Sequence, residues 1–307
     1  MIKEEIANLK GYQLLDSGEG YRLEKFGEYI LQRPDPAALW QRDLPESEWK
    51  KADALYIRKG KDSEEGDESF EERGNWKVAN KQMAAEWVMD YQIPASSELI
   101  SFNARLTPFK HTGVFPEQVA NWDFISEKLH HAKKENRELK FLNLFGYTGI
   151  ASVLAAKLGA KVTHVDASKP SLTDAKNNML LSGLPEDAIR WILDDAVKFV
   201  KREVTRGNKY DAIILDPPAF GRGAKGEVWK FNQDLPVLLD LLRKICSDDF
   251  QFLIINAYAV SVSSVLLKNL LEDFSTNIPA KFIDYGELIL KQNNGRLLST
   301  GIFARLH

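Results

Sequence analysis

A chain of 307 residues with 44% hydrophobic residues, a formal net charge of -3 and a pI near 6.0 has the composition of an ordinary globular protein with room for two domains. That charge balance argues against a surface that coats nucleic acid, while leaving room for a local basic groove around a site. The single cysteine, Cys246, excludes a disulfide framework and a zinc site built on several cysteines, and the absence of a leader pattern or a long apolar run points to a cytoplasmic protein without a membrane partner.

Residues 1–97 hold short segments of mixed polarity (12–15, 21–26 and 29–33) separated by Gly18, Gly20, Gly27, Pro34 and Pro36. This pattern predicts a small β-rich, antiparallel N-terminal domain. Trp40, Trp49, Trp76 and Trp87 fall within it and read as core filler. Lys50, Lys51, Arg58, Lys59 and Lys61 offer contacts to phosphate or, on the simpler reading, a solvated face balancing the acidic, loop-like run 62–72. A second domain is expected over 98–307. It opens with a loop-like segment, 98–122, that includes Pro108, Gly113 and Pro116 and leads into a helix over 119–131. Two roles for that loop stand equal at this stage: folding over a bound cofactor, or crossing between domains.

From Phe141 onward strand and helix alternate. Strand 141–145 breaks at Gly146, helix 150–158 ends at Gly159, and strand 161–165 runs into Asp166. A helix from Pro170 stops at Gly183, and strand 189–193 leads to Asp194 and Asp195. An amphipathic helix (Val197, Phe199, Val200, Val204) ends at Gly207, and strand 210–215 ends in Asp216-Pro217-Pro218-Ala219-Phe220. A glycine-rich basic loop over 221–226, helix 235–245, strand 250–255, helix 260–274 and strands 281–285 and 299–305 complete the chain. Seven strands with short connections predict an α/β fold: a mostly parallel sheet covered on both faces and closed by an antiparallel terminal hairpin.

In such a sheet, ligands bind beyond the carboxyl ends of the strands. Gly146-Tyr147-Thr148-Gly149 follows the first strand, and backbone N–H groups with a helix end there suit a nucleotide-like ligand. Asp166, at the second strand end, suits the two hydroxyls of a ribose, or else caps the helix that begins near Pro170. These signals fit a dinucleotide enzyme and a methyl-transfer enzyme equally. Asp216-Pro217-Pro218 separates them, because prolines remove donors and leave acceptors suited to the N–H bonds of an amino group. Phe220 is placed to stack a planar base.

Together, Asn143-Leu-Phe-Gly-Tyr-Thr-Gly149, Val165-Asp-Ala-Ser168, Asp195 and Asp216-Pro-Pro-Ala-Phe220 resemble the class I S-adenosylmethionine (SAM)-dependent methyltransferases. Within them, the likeness is to the branch of large-subunit ribosomal RNA base methyltransferases, whose loop before the first motif is similar to residues 112–118. The resemblance implies a Rossmann-like methyltransferase sheet and SAM as cofactor. Its cofactor contacts would be Asn143, Phe145, Gly146, Tyr147, Thr148, Gly149, Asp166, Ala167, Ser168, Asp195 (with Asp194 as alternative) and Asp216. It implies catalytic roles for Asp216, Pro217, Pro218 and Phe220, methylation of a base nitrogen, and an RNA partner with no metal. Cytosine-C5 chemistry is disfavoured, because no cysteine follows the fourth or fifth strand and Cys246 reads as structural. Arg222, Lys225 and Lys230 follow the tetrad and suit flanking phosphates, or form a solvated loop. A methyltransferase of proteins or small molecules, and a cofactor-binding protein without turnover, remain as alternatives.

Overall fold

The computed structural model describes residues 2–5, 9–58, 74–94, 96–223, 226–258, 260–276, 278 and 282–307. The acidic run 62–72, Lys59, Lys61 and Lys225 lie outside the described residues. The chain opens with β1 (Ile2–Glu5), β2 (Leu9–Lys10), β3 (Tyr12–Gly18), β4 (Tyr21–Phe26), β5 (Tyr29–Pro34) and one helical turn, α1 (Glu46–Trp49). Next come β6 (Ala54–Arg58), β7 (Gly74–Val78), β8 (Glu86–Gln92) and β9 (Leu99–Arg105). Strands β3 to β7 form one sheet in sequence order, and β2, β8 and β9 form another. All pairs within these sheets are antiparallel except β5 with β6.

Two expectations are corrected here. The first stretch of the segment read as a loop over 98–122 is strand β9, in which Ile100, Phe102 and Ala104 are buried and alternate with Ser101 and Asn103. A period of two is present, but polar side chains at the alternate positions and the prolines beyond them gave it the look of a loop. The second correction is β1, which leaves the N-terminal sheets and adds a strand to the main sheet, parallel to its penultimate strand.

A 3-10 turn (Pro116–Gln118) leads into α2 (Val119–Lys134). Then follow β10 (Lys140–Leu144), α3 (Ile150–Lys157), β11 (Lys161–Asp166), α4 (Lys169–Leu181), β12 (Ile189–Leu193), α5 (Ala196–Arg206) and β13 (Ala212–Leu215). A short hairpin, β14 (Phe220–Arg222) with β15 (Val228–Lys230), occupies the place of the expected glycine-rich loop. The chain ends with α6 (Phe231–Arg243), β16 (Phe252–Ala257), α7 (Ser264–Ser275), β17 (Ile283–Lys291) and β18 (Leu297–Leu306).

The main sheet has the order β1-β17-β18-β16-β13-β10-β11-β12, so the seven expected strands are present with β1 appended at one edge. Strands β10 to β13 and β16 run parallel, and β18 is antiparallel to both β16 and β17. In β10, Phe141, Leu142 and Leu144 have no exposed surface, as expected for a strand covered on both faces. After β12 the chain returns to lay β13 on the other side of β10, which opens a crevice at their carboxyl ends.

One apolar cluster unites the N-terminal sheets with the main sheet, running from Leu31, Tyr91 and Phe102 through Trp122 and Ile125 of α2 to Phe141, Leu154 and Ile254. Trp122 stands edge-on to Tyr91 and Phe102, with ring centroids 5.3 and 6.2 Å away. Hairpin β8–β9 crosses the expected 97/98 boundary. Trp49 and Trp87 are buried as core filler, while Trp40 and Trp76 are half-buried and spend their N–H groups on backbone carbonyls. Cys246 is buried against Leu242, its thiol pushed up to about 12 by burial, as expected of a structural thiol. No helix among the described residues is long and apolar enough to cross a membrane.

Candidate active site

The turn after β10 is built from three left-handed residues: Phe145 (φ 55), Tyr147 (φ 50) and Gly149 (φ 76). Two of the three are not glycine, a conformation that costs on the order of 1–3 kcal/mol each and persists only where surroundings enforce it. The enforcement is visible. Gly146 N–H donates to Val165 O (3.1 Å), Tyr147 N–H to Asp166 Oδ2 (2.8 Å), and Gly149 N–H to Gly146 O (3.0 Å). Thr148 Oγ1 donates to Gly113 O (2.7 Å), and its carbonyl accepts from Asn178 Nδ2 (2.9 Å).

Beneath the turn lies a polar cluster the sequence reading did not find. Asn143 Nδ2 donates to Ser152 Oγ (2.9 Å), which leaves the hydroxyl proton for His164 Nδ1 at 2.9 Å. Asn143 thus supports the turn through Ser152. His164 is fully buried, and burial lowers its pKa to about 3, so the ring is neutral. A Cβ on Gly146 would sit 2.3 Å from that ring, so the glycine is required by packing.

At the end of β11, Asp166 accepts N–H bonds on both oxygens, from Tyr147 and, at 2.7 Å, from Ser168. Burial raises its pKa, against the lowering effect of those two donors. A carboxylate offers about four lone-pair sites, so acceptor capacity remains for two hydroxyls. The helix-capping alternative for Asp166 does not hold, because Ser168 is the N-cap of α4, its side chain accepting from Ser171 N–H. Ala167, half-buried, bridges the two. At the end of β12, Asp194 N–H donates to Asp166 O (3.1 Å), which keeps the two strand ends together. Asp194 pairs with Arg202, and Asp195 caps α5 by accepting from Lys198 N–H (2.9 Å).

At the end of β13, Asp216 N–H reaches Leu144 O (3.4 Å), so the acid stands beside the glycine turn. Its carboxylate accepts from Gln118 Nε2 through Oδ2 (3.1 Å). Burial pushes Asp216 up to about 7, with the charge of Glu117 adding to the push. Glu117 is itself buried and raised by burial, and its Oε2 has no hydrogen-bond partner among the described residues. Pro217 is buried and Pro218 exposed, with the Pro218 carbonyl taken by Trp229 Nε1 (2.8 Å). The Trp229 ring lies 4.9 Å from that of Phe145, so hairpin β14–β15 is pinned over the turn. Phe220, 41% exposed, faces Lys230 across the hairpin in register. Lys230 is exposed at the start of α6, and Arg222 lies on β14.

Residues 107–118 close the opposite rim, and the N-terminal sheets hold them there. Trp76 Nε1 donates to Thr107 O (2.7 Å) and Phe109 O (3.0 Å), and Arg33 Nη1 donates to Lys110 O (3.1 Å). Arg33 is fixed by Glu24, whose carboxyl burial would raise but which Arg22 and Arg33 hold below its ordinary range. The segment crosses between the sheets, as one of its two foreseen roles requires, and it touches the turn after β10 at Gly113. It also brings Phe115 to 5.7 Å from Tyr147 and 6.2 Å from Tyr258, an aromatic wall the sequence reading missed.

The chain matches the crystal structure of a SAM-dependent methyltransferase from Agrobacterium tumefaciens at 37% identity and a TM-score of 0.88, over 100% of this chain and 93% of that one. This chain belongs to the SAM-dependent methyltransferases. No model of a protein family matches it. Curated relatives include the ribosomal RNA large subunit methyltransferase K/L of Shewanella amazonensis, 37% identical over 147 residues (47% of this chain, 19% of the relative), and that of Shewanella frigidimarina, 34% over 157 residues (50% and 21%). The chain thus spans about a fifth of the length of those relatives. The residues fit SAM: Asp166 keeps acceptor capacity for the hydroxyls of a ribose, and Glu117 Oε2, without a hydrogen-bond partner among the described residues, is close enough for its charge to act on Asp216.

Gly146→Ala is expected to weaken SAM binding at least tenfold by calorimetry, because the buried His164 ring must move. Adding His164→Ala should recover most of the loss; equal weakening in single and double variants would contradict the packing account. Asp216 titrates at about 3.9 in unfolded chains and about 7 in the folded protein. Between those values the folded state holds the extra proton, so stability falls as pH rises through that window. The Tm advantage of Asp216→Asn over wild type should therefore grow from about pH 4 to pH 7 and then level off. A difference independent of pH would show that Asp216 ionises normally.

Proposed function

We propose that this methyltransferase modifies a nitrogen of a base in RNA, most directly in large-subunit ribosomal RNA. The observation that carries the reading is the mouth of β13. Asp216 is a half-buried acceptor followed by two prolines without N–H groups, with exposed Phe220 and Lys230 side by side on the adjoining hairpin. An amino group needs the acceptor, a planar base needs the aromatic face, and the backbone next to the target needs the cation. The Shewanella relatives, named as methyltransferases of the ribosomal RNA large subunit, support the same substrate class.

Bound SAM supplies an electrophilic methyl group on a sulfonium. The turn Phe145 to Gly149 and Asp166 would hold the methionine and ribose parts, Ala167 and Ser168 complete that strand end, and Asp195 or Asp194 would meet the adenine amino group. Asp216 orients the target nitrogen by accepting one of its N–H bonds, so that its lone pair faces the methyl group. Phe220 would stack on the base, and Lys230 would meet a flanking phosphate. Orientation and removal of water contribute up to about 7 to 11 kcal/mol in well-aligned cases. A neutral amine would take the methyl group as the sulfur–methyl bond breaks with its electron pair left on sulfur, and Asp216, pushed up to about 7, is the group positioned to receive the proton then shed. A paired target base first leaves its stack.

Incubation with methyl-labelled SAM and fractionated RNA, protein and metabolites tests the proposal. Label is expected in ribosomal RNA as an N-methylated nucleoside. Asp216→Ala should lower turnover about a hundredfold or more while SAM affinity stays within about tenfold. Label recovered only in protein or metabolites would overturn the substrate assignment.

A further inference from the structure

Behind Asp216 runs a chain of buried amides that ends on an arginine of the last strand. Arg305 donates through Nε (2.9 Å) and Nη2 (2.7 Å) to Asn121 Oδ1. With its oxygen occupied, Asn121 turns its Nδ2 towards Gln118 Oε1 (2.9 Å) and Asn256 Oδ1 (2.7 Å). Asn256 then directs its own Nδ2 to the same Gln118 oxygen (3.1 Å). Gln118 Oε1 thus accepts two N–H bonds, and its Nε2 faces Asp216 Oδ2 at 3.1 Å.

A carboxamide flanked only by other carboxamides can turn over, exchanging donor and acceptor ends. A guanidinium cannot, because it has donors and no acceptor. Arg305 is held by the faces of Phe124 and Phe303, 4.8 and 4.5 Å from their ring centroids, and is 3% exposed. Asn121 and Asn256 are 0% and 2% exposed, so water has little opportunity to substitute for a missing partner. Reversing any one amide would set oxygen against oxygen or nitrogen against nitrogen along the chain. Arg305 thereby sets the direction of every amide up to Asp216.

We propose that Arg305, Asn121, Asn256 and Gln118 form a positioning relay that reserves Asp216 Oδ2 as an acceptor, so that Oδ1 is the oxygen that receives the target's proton. The inference deepens the proposed reaction and rests on Asp216 serving as its acceptor. In the step concerned, the N–H bond of the methylated, positively charged nitrogen breaks, its electron pair stays on nitrogen, and the proton forms an O–H bond on Oδ1. None of the four relay residues need touch the substrate. The ionisable groups around the relay are Glu117 on the Gln118 turn, Arg22 and Glu24 of β4 and Arg33 of β5 beyond it, and Arg305 at the far end.

Aspartate carboxyl carbons labelled with carbon-13, with Asp216 assigned by its loss in Asp216→Asn, allow the acid to be titrated directly by NMR. Gln118→Leu removes a donor to the charged form and should raise the Asp216 midpoint by about one pH unit. Arg305→Leu frees the amides to turn and should move it in the same direction, whereas Arg305→Lys, which keeps a donor to Asn121, should fall between Arg305→Leu and wild type. Where Arg305→Leu does not fold, Asn121→Leu takes its place. A folded Gln118→Leu protein with the wild-type midpoint would overturn the relay, as would an Arg305→Leu or Asn121→Leu midpoint that is unchanged or lowered. The acid limb of the kcat profile should shift with the midpoint while KM for SAM stays within about threefold, a split that a general loss of structure would not give. The titration needs no substrate: label appearing outside RNA would overturn the substrate assignment alone, and an unmoved midpoint would overturn the relay alone.

Discussion

The parallel pairing of β13 with β10 is the constraint on which the site depends. It runs from Phe141 opposite Ala212 to Leu144 opposite Leu215, and its last link is the Asp216 N–H on Leu144 O. Because the chain reverses its direction of travel across the sheet here, the connections leaving β10 and β13 diverge and leave a crevice between them. The glycine turn and Asp216 are therefore neighbours in space, although well apart in sequence. Every residue of both strands after Lys140 is buried, so both faces of this pair are covered by the rest of the protein.

The second constraint is the grip of the N-terminal sheets on residues 107–118. Those sheets share a core with the main sheet, and through Arg33, Trp76 and Tyr56 they take hold of backbone carbonyls along this segment. Arg33 is in turn fixed on a buried carboxylate, Glu24, that also pairs with Arg22 and accepts from Tyr12. Buried charges of this kind are poor contributors to net stability but strong determinants of geometry. The geometry they determine includes the position of Gln118, and through it the carboxylate of Asp216. In this way the small sheets help to place residues beside the crevice between β10 and β13.

Much of this was legible in the sequence, and the exceptions have physical causes. The alternation of strands and helices after Phe141 showed itself because each strand is a short apolar run closed by a glycine or an acid. Strand β1 was not legible: Ile2-Lys-Glu-Glu5 carries no apolar repeat, and it is a strand because β17 offers an edge. Asp166, Asp194, Asp195 and Asp216 were found because acids at strand ends are conspicuous. Their division of labour with Ser168 was not, since capping depends on local backbone angles. The relay escaped because Gln118, Asn121, Asn256 and Arg305 come from a turn, a helix and two strands, and amides acquire direction only from their neighbours. His164 escaped for a similar reason, as a strand residue whose significance lies in the glycine above it.

The central claim is that the crevice between β10 and β13 brings SAM and the target nitrogen together at Asp216. A crystal structure of the protein with S-adenosylhomocysteine tests it most directly. The ribose hydroxyls should lie within hydrogen-bond distance of Asp166, the sulfur should face Asp216, and Gln118 should still donate to Asp216 Oδ2. A ribose held away from Asp166, or a sulfur turned from Asp216, would contradict the account.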